Sequence, residues 1–476
     1  MVFGIICLIH IYIRNKNQNN DESFHVDTII LVIAVLLFLW IGYYAGWGRF
    51  VTQERDWYKH NAILSDLMNR KWPVYYNNGD EHSMLSYYIG QYIIPAFVGK
   101  LFKSFRTAEI AVYIWNEIGL ILVYLNILKY LKTDNSFIHF FTILLVPFFS
   151  IPLWLSQIVV NHFIEDYYIE STTFMYLKDS ICLQYSGNFI LLKWVFPQAI
   201  PIWLTTLIWL AHKDKIEFYV PMLLPAMFFG TFGFLGLVML AFSQSIDILI
   251  KEKNFNKWIK KIFSLENVST LITLGTVFLA YFSGNMLSEK PKDVGFGLTP
   301  YTKDTIGIYF TFVIANVISY AVILFKEHKK EGLYYAVFLI LTFLPLFRLG
   351  LFNDLVMRSS VPMLLIVMIY AIQSIQKLID KNAAHKHSTN FEKICAYTLI
   401  VLLLLGLYTN FSDLTHTIRN ENDKQLGDEI RLEKTLEVYA NRNLEDGNID
   451  MIYNYYAYDI ENNIFYKLFA GRKIIY

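Results

Sequence analysis

Charge is scarce in these 476 residues: only 17% are Asp, Glu, Lys or Arg, and the formal net charge is +1. So even a balance excludes a nucleic-acid partner, because no segment carries the basic excess that a phosphate backbone requires. Cysteine is also nearly absent. Cys7, Cys182 and Cys395 stand far apart and fall in different predicted compartments, which rules out a disulfide framework and a cysteine metal cluster. No internal repeat or low-complexity tract stands out, so an inverted-repeat transporter gains no support.

What replaces charge is apolar and aromatic surface. Hydrophobic residues make up 55% of the chain and aromatics 17%, including 33 Tyr and 10 Trp. With a mean hydropathy of +0.38, this is too apolar for a soluble protein of its size and implies an all-α polytopic bundle in a lipid bilayer. Tyr and Trp favour the headgroup level, where one end of the ring is dry and the other wet. About 20 apolar residues cross a hydrocarbon core. On that criterion candidate spans lie near 27–47, 107–129, 136–152, 188–211, 216–230, 232–250, 268–286, 304–325, 333–347, 359–378 and 393–411, eleven in all. Pro147, Pro152, Pro197, Pro201, Pro221, Pro225 and Pro345 interrupt several of them. Broken helices survive at membrane depth only where protein or a water-filled cavity covers the freed backbone.

Lysine and arginine in short loops set the orientation. With the first span running outward, the inner loops receive sixteen basic residues, from Lys129 to Lys393, against six in the short outer loops. The apolar stretch 84–103 could be counted as another span, but that would invert every later loop. It is therefore assigned to a Tyr-rich, Pro95-interrupted helix lying along the outer interface. Residues 2–13 are too short to span and are compatible with a signal-like apolar region, an interfacial segment or the remnant of a helix. Three polar segments then face outward: 48–106, 153–187 and 412–476. Residues 1–411 read as the transmembrane domain, and 412–476 as a small outer-face cap in which aromatics alternate with acids and asparagines.

The outer segments carry the candidate chemistry. In Asp56-Trp57-Tyr58-Lys59-His60-Asn61-Ala62-Ile63-Leu64, a helix over 56–70 would align Asp56, Lys59, His60 and Ile63 along one side. A carboxylate so placed can take a proton from a hydroxyl, and neighbouring cations can hold an anionic leaving group. The plainer reading is an interfacial i,i+3 ion pair, and spacing alone favours it. In Asn353-Asp354-Leu355-Val356-Met357-Arg358, the guanidinium offers a fork suited to phosphate oxygens, against a snorkelling arginine paired i,i+4 with Asp354. Asn188, Lys193 and Gln198 enter the top of a Pro-broken span, where polar groups need a cavity or a partner. Helix–helix hydrogen bonding is the simpler account of Gln198.

These elements resemble the GT-C superfamily of membrane glycosyltransferases, which includes the protein O-mannosyltransferases and the lipid A aminoarabinose transferases. The likeness is architectural over most of the chain: an outward first helix, a long first outer loop with an early acid, and a juxtamembrane helix at Leu85-Ser86-Tyr87-Tyr88. At motif level, Asp-Trp-x-Lys-His-Asn-Ala-Ile-Leu, Trp72-Pro73-Val74 and Asn-Asp-Leu-x-Met-Arg-Ser-Ser-x-Pro are similar to an uncharacterised bacterial branch. The resemblance implies transfer of a sugar from a polyprenyl phosphate to a hydroxyl acceptor at the outer face of the bacterial cytoplasmic membrane. By position it makes Asp56 the base, with inversion at the anomeric carbon. Lys59, His60 and Arg358 would bind the donor phosphate, and Asn61, Asn188, Gln198, Asn353 and Asp354 would contact substrate. Many members carry paired acids at the base position; here Trp57 follows Asp56 and Glu54 is the only near neighbour. No cofactor is expected, and a divalent metal is not indicated. The rival classes are a transporter or flippase for a lipid-linked or small anionic solute, a glycan polymerase and a catalytically silent scaffold.

Overall fold

The computed structural model describes residues 26–51, 53, 56–78, 81–153, 158, 168–171, 174–177, 181–287, 295–350, 353–383, 389–420, 456–457 and 463–469. Helix α1 (Thr28–Tyr44) is capped by Asp27, whose carboxylate accepts from Ile29 N at 2.7 Å. After a tight turn at Trp47–Arg49 come α2 (Asp56–Asn69), the antiparallel hairpin β1 (Tyr75–Asn78) and β2 (Glu81–Leu85), and α3 (Gly90–Phe102). Then follow α4 (Phe105–Leu131), α5 (Ser136–Phe148) and a second small sheet of β3 (Tyr168–Ser171), β4 (Phe174–Leu177) and β5 (Ile181–Leu183). The next elements are α6 (Asn188–Trp194), α7 (Phe196–Ala211), α8 (Ile216–Phe228) and α9 (Thr231–Glu252), followed by a peripheral helical stretch, α10 (Phe255–Ser283), interrupted at Phe263 and Ser264. The chain continues with β6 (Gly297–Leu298), α11 (Ile306–His328), α12 (Gly332–Leu346), β7 (Phe347–Arg348), α13 (Asp354–Ser359), α14 (Val361–Ala383) and α15 (Asn390–Asn420). Strand β8 (Tyr456–Ala457) and helix α16 (Ile464–Phe469) close the described chain.

This is an α-helical polytopic membrane protein. Among the described residues, six helices are long and apolar enough to cross a bilayer: α4, α9, α10, α11, α14 and α15. Five shorter apolar helices, α1, α5, α7, α8 and α12, pack among them. Helix α14 sits at the centre, with 67% of its apolar window buried, whereas the window in α10 is only 11% buried and lies at the rim.

Helix α3 is 13 residues long, about 20 Å. It buries Gln91, Tyr92, Pro95, Ala96 and Gly99 against α2 and α4 and exposes Ile94, Phe97, Leu101 and Phe102. The turn into α4 is tight: a Cβ on Gly99 would lie 2.5 Å from that of Ala108.

Two features go beyond the helical reading of the sequence. Small antiparallel sheets occupy the segments between helices, which a reading by helical hydrophobicity passes over because the strands are two to five residues long. The boundary expected at 411–412 falls inside α15. Charge ends the apolar run there, but the helix continues because Asp413 and Thr417 receive the buried Lys193 ammonium at 3.3 and 2.8 Å. Of the tail, β8 adds to β2 as the third strand of its sheet, and α16 packs on α10, with Phe465 against Tyr281. Residues 2–13, together with Tyr453 and Tyr455, lie outside the described residues.

The bundle has two chemically distinct poles. Helix α14 runs 23 residues, roughly 35 Å, from just after Arg358 to Lys381. At its far end Lys381 and Lys326 share Glu392 at 2.9 and 2.8 Å, and Lys377 pairs with Glu327 at 3.1 Å. At its near end α13 lies against α9, where a Cβ on Gly236 would come 2.1 Å from the Ser359 carbonyl oxygen. Gly236→Ala should therefore destabilise the protein by about 1–3 kcal/mol, because the neighbour is backbone and cannot swing aside. Gly307, with nothing within 4 Å of a built Cβ, should tolerate Ala or gain about 0.5–1 kcal/mol from helix propensity. Thermal unfolding of both variants in one detergent checks the contrast, and equal melting temperatures would refute it.

Candidate functional site

The site is assembled around a break in a helix. Pro197 has no N–H to donate, and the chain bends at Val195 (φ −134°, ψ 28°), so that Gln198 N donates to the Val195 carbonyl at 2.9 Å. The Trp194 carbonyl is left outside the helical ladder, and His60 Nε2 reaches it at 3.2 Å. A carbonyl only accepts, so Nε2 carries the proton and Nδ1 accepts from the Tyr92 hydroxyl at 2.5 Å. The ring is 3% exposed and packs beside Trp57, which stacks on Phe196 with centroids 5.0 Å apart. Burial, reinforced by the Lys59 ammonium, pushes the His60 imidazole down to about 3 from 6.5. It is a neutral tether that joins α2 to α3 and to the α6–α7 break.

One turn before it, Asp56 opens α2, where a carboxylate also meets the positive end of the helix dipole. Lys59 Nζ, itself 7% exposed, donates to Asp56 Oδ2 at 2.7 Å. Burial works to raise the Asp56 pKa, but Lys59, with smaller contributions that include Arg358, outweighs it, and the group sits below the ordinary value of 3.8. Arg358, some 300 positions further on, thus lies within electrostatic reach of Asp56. Its guanidinium is held from two sides: Nη2 pairs with Asp354 Oδ1 at 2.9 Å, and Nη1 donates to the Tyr88 hydroxyl at 2.6 Å. Tyr88 stands beside Tyr87, whose backbone N–H donates to the Tyr281 hydroxyl at 3.2 Å while that hydroxyl donates to the Tyr87 carbonyl at 3.0 Å.

The structure therefore brings Asp56, Lys59, Asp354 and Arg358 to one pole and adds Tyr88 and Tyr92, which sequence reasoning missed. The Leu-Ser-Tyr-Tyr run reads as a juxtamembrane helix in the sequence, but Leu85 ends β2 and residues 86–88 lie ahead of α3, and nothing in the spacing singles out one tyrosine as the partner of a distant arginine. His60 does not fit the phosphate-binding role expected for it, because both ring nitrogens are engaged and burial keeps the ring uncharged. Asn61 donates to Gln53 Oε1 at 2.7 Å, and Gln53 in turn donates to the Gly46 carbonyl, an arrangement that braces the turn after α1. Asn188 donates to the Val146 carbonyl at 2.8 Å and ties α6 to α5. Asn353, at φ 51°, builds the turn before α13 by donating to the Cys182 and Phe347 carbonyls, both at 3.2 Å. These three side chains shape the scaffold: Asn188 and Asn353 satisfy backbone carbonyls, and Asn61 acts through the Gln53 side chain. Gln198 is buried with Oε1 unpartnered, close against Gly230. Glu54 lies outside the described residues. Among the described residues, no group of three or more His, Cys, Asp or Glu could hold a metal ion.

Comparison with known protein families, with curated proteins and with solved structures found no match.

The tether makes stability acid-sensitive in a defined window. Because the folded pKa of His60 is about 3 and its ordinary value 6.5, the unfolded chain binds more protons between those values. Its contribution is complete above pH 6.5 and is lost as pH falls toward 3, at up to about 1.4 kcal/mol per pH unit. Melting temperatures recorded from pH 7 to pH 4 should fall more steeply for the wild type than for His60→Gln. Parallel curves would show that the imidazole is not the buried neutral group described.

Proposed function

We propose that the chain is a glycosyltransferase that moves a sugar from a polyprenyl phosphate to a hydroxyl acceptor at the outer membrane face. One observation carries the reading: an aspartate held below its ordinary pKa and an arginine some 300 positions further on lie within electrostatic reach of each other at the pole opposite the Lys326, Lys377 and Lys381 cluster. Counting the five shorter apolar helices as crossings gives eleven spans, and basic residues favour the cytoplasmic side. Both considerations support an outward-facing Asp56.

The chemistry follows from the residues. Asp56, paired with Lys59 and within the field of Arg358, is a weak base at rest. A donor phosphate entering the site competes for both cations, and as they turn to its oxygens the carboxylate loses the charges that depress its pKa. Asp56 then takes the proton of the acceptor hydroxyl while that oxygen bonds to the anomeric carbon. The bond from that carbon to the phosphate oxygen breaks on the opposite face, its electron pair leaves with the polyprenyl phosphate, and the sugar inverts. Lys59 and the Arg358 fork hold the departing phosphate. Tyr88 and Asp354 position Arg358, and His60 with Tyr92 positions α2. The exposed apolar residues of α3 (Ile94, Phe97, Leu101) and of the later part of α10 (Leu271, Ile272, Leu279) suit a prenyl tail lying in lipid beside the site.

A carrier for an anionic or lipid-linked solute is favoured by a different observation. Glu117 in α4 is buried at 5% exposure, and neither carboxylate oxygen has a hydrogen-bond partner. Intramembrane acids of this kind often mark transport paths. Solute flux in proteoliposomes, abolished by Glu117→Gln and unaffected at Asp56, would establish that reading instead.

The transferase reading predicts that Asp56→Asn lowers consumption of radiolabelled polyprenyl-phosphate sugar by about 10²- to 10⁴-fold. Arg358→Lys, which keeps the charge and loses the fork, should mainly raise KM for the donor. Wild-type turnover by Asp56→Asn, across a panel of sugars that the wild-type protein accepts, would overturn it.

A further inference from the structure

At the opposite pole, α11, α14 and α15 leave a cleft between them. Its mouth carries Lys326, Lys377 and Lys381, and its floor is apolar, formed by Ile323, Ala396 and Leu399. The lysines are reachable: their side chains are 40, 47 and 37% exposed. Two glutamates face them. Glu392 is shared by Lys326 and Lys381 and also accepts from Thr389 N at 3.1 Å in the capping box of α15, and Glu327 pairs with Lys377. Three cations against two anions leave a net positive mouth. Each ammonium has three donors, and one carboxylate contact for each leaves several still able to donate. Inside the cleft the Ser374 hydroxyl is buried with no hydrogen-bond partner.

We infer that this cleft is a binding site for an anionic phospholipid, with the headgroup phosphate at the three lysines and Ser374 and an acyl chain along the apolar floor. The observations select an amphiphile. Lysines at a helix end attract any anion, but these stand above an apolar groove between membrane helices, and a soluble anion would leave that groove empty. A zwitterionic lipid would fill the groove but bring a second cation to a mouth that is already positive. Basic pockets between helices at a membrane surface recognise acidic headgroups in this way. The site is separated from Asp56 by the length of α14, and its assignment does not depend on the transferase reading.

The test uses the full chain in detergent, stripped of lipid and then titrated with micelles containing phosphatidylglycerol or phosphatidylcholine of identical acyl chains, with bound lipid counted by native mass spectrometry. Phosphatidylglycerol should be preferred, and each of Lys326→Gln, Lys377→Gln and Lys381→Gln should weaken its binding about fivefold. Ala396→Trp, which fills the groove and leaves the charges in place, should abolish retention of the lipid. Equal binding of the two lipids would overturn the proposal, as would unchanged affinity in all three lysine variants. Saturation by inorganic phosphate with no added benefit from acyl chains would show a soluble-anion site and also overturn it. The single-lysine series guards against misfolding, since each variant removes one exposed side chain.

Discussion

The arrangement depends on one hydrogen bond that a regular helix could not offer. The break at Val195–Pro197 frees the Trp194 carbonyl, and a buried carbonyl must find a donor. His60 supplies it and commits its other nitrogen to Tyr92. Because Lys59 is its neighbour and Asp56 lies one turn earlier, the orientation of α2 is set by that imidazole. A proline that reads as a simple interruption of a span thus determines where the acid stands.

The arginine is placed by an equally long chain of contacts. The Asn353 turn starts α13, Gly236 allows α9 to approach it, and the Tyr88 hydroxyl receives the guanidinium. Tyr88 in turn follows a hairpin anchored by Ser86 and Tyr87 on Tyr281, and that hairpin carries β8 from the tail. Elements near residues 56, 88, 281, 358 and 456 therefore meet through polar contacts that compensate one another's burial. Electrostatics favours this economy: Asp56, its side chain a quarter exposed, is stabilised as an anion by Lys59 and, less strongly, by Arg358.

Much of the scaffold was legible in the linear chain. Apolar runs marked the helices, proline marked the breaks, and lysine clustering separated the poles, because each of these signals is local. The i,i+3 pairing of Asp56 with Lys59 was legible for the same reason. The short strands were not, since pairing between segments as remote as 84 and 457 leaves no periodic trace. Nor were the structural tasks of Asn61, Asn188 and Asn353. A polar residue in an apolar setting signals a need for a partner, but its type does not say whether that partner is substrate or a neighbouring carbonyl.

Composition and hydrophobic pattern by themselves determined that this protein lives in a membrane as a helix bundle, since no aqueous fold could hide so much apolar surface. They also determined that its few charges collect at two opposite ends. Only the tertiary structure decided that Arg358 comes within electrostatic reach of Asp56, that Tyr88 and Asp354 hold its guanidinium, and that His60 serves as a neutral tether. Those outcomes rest on burial and on hydrogen bonds between residues hundreds of positions apart, and both come into being only when the helices pack.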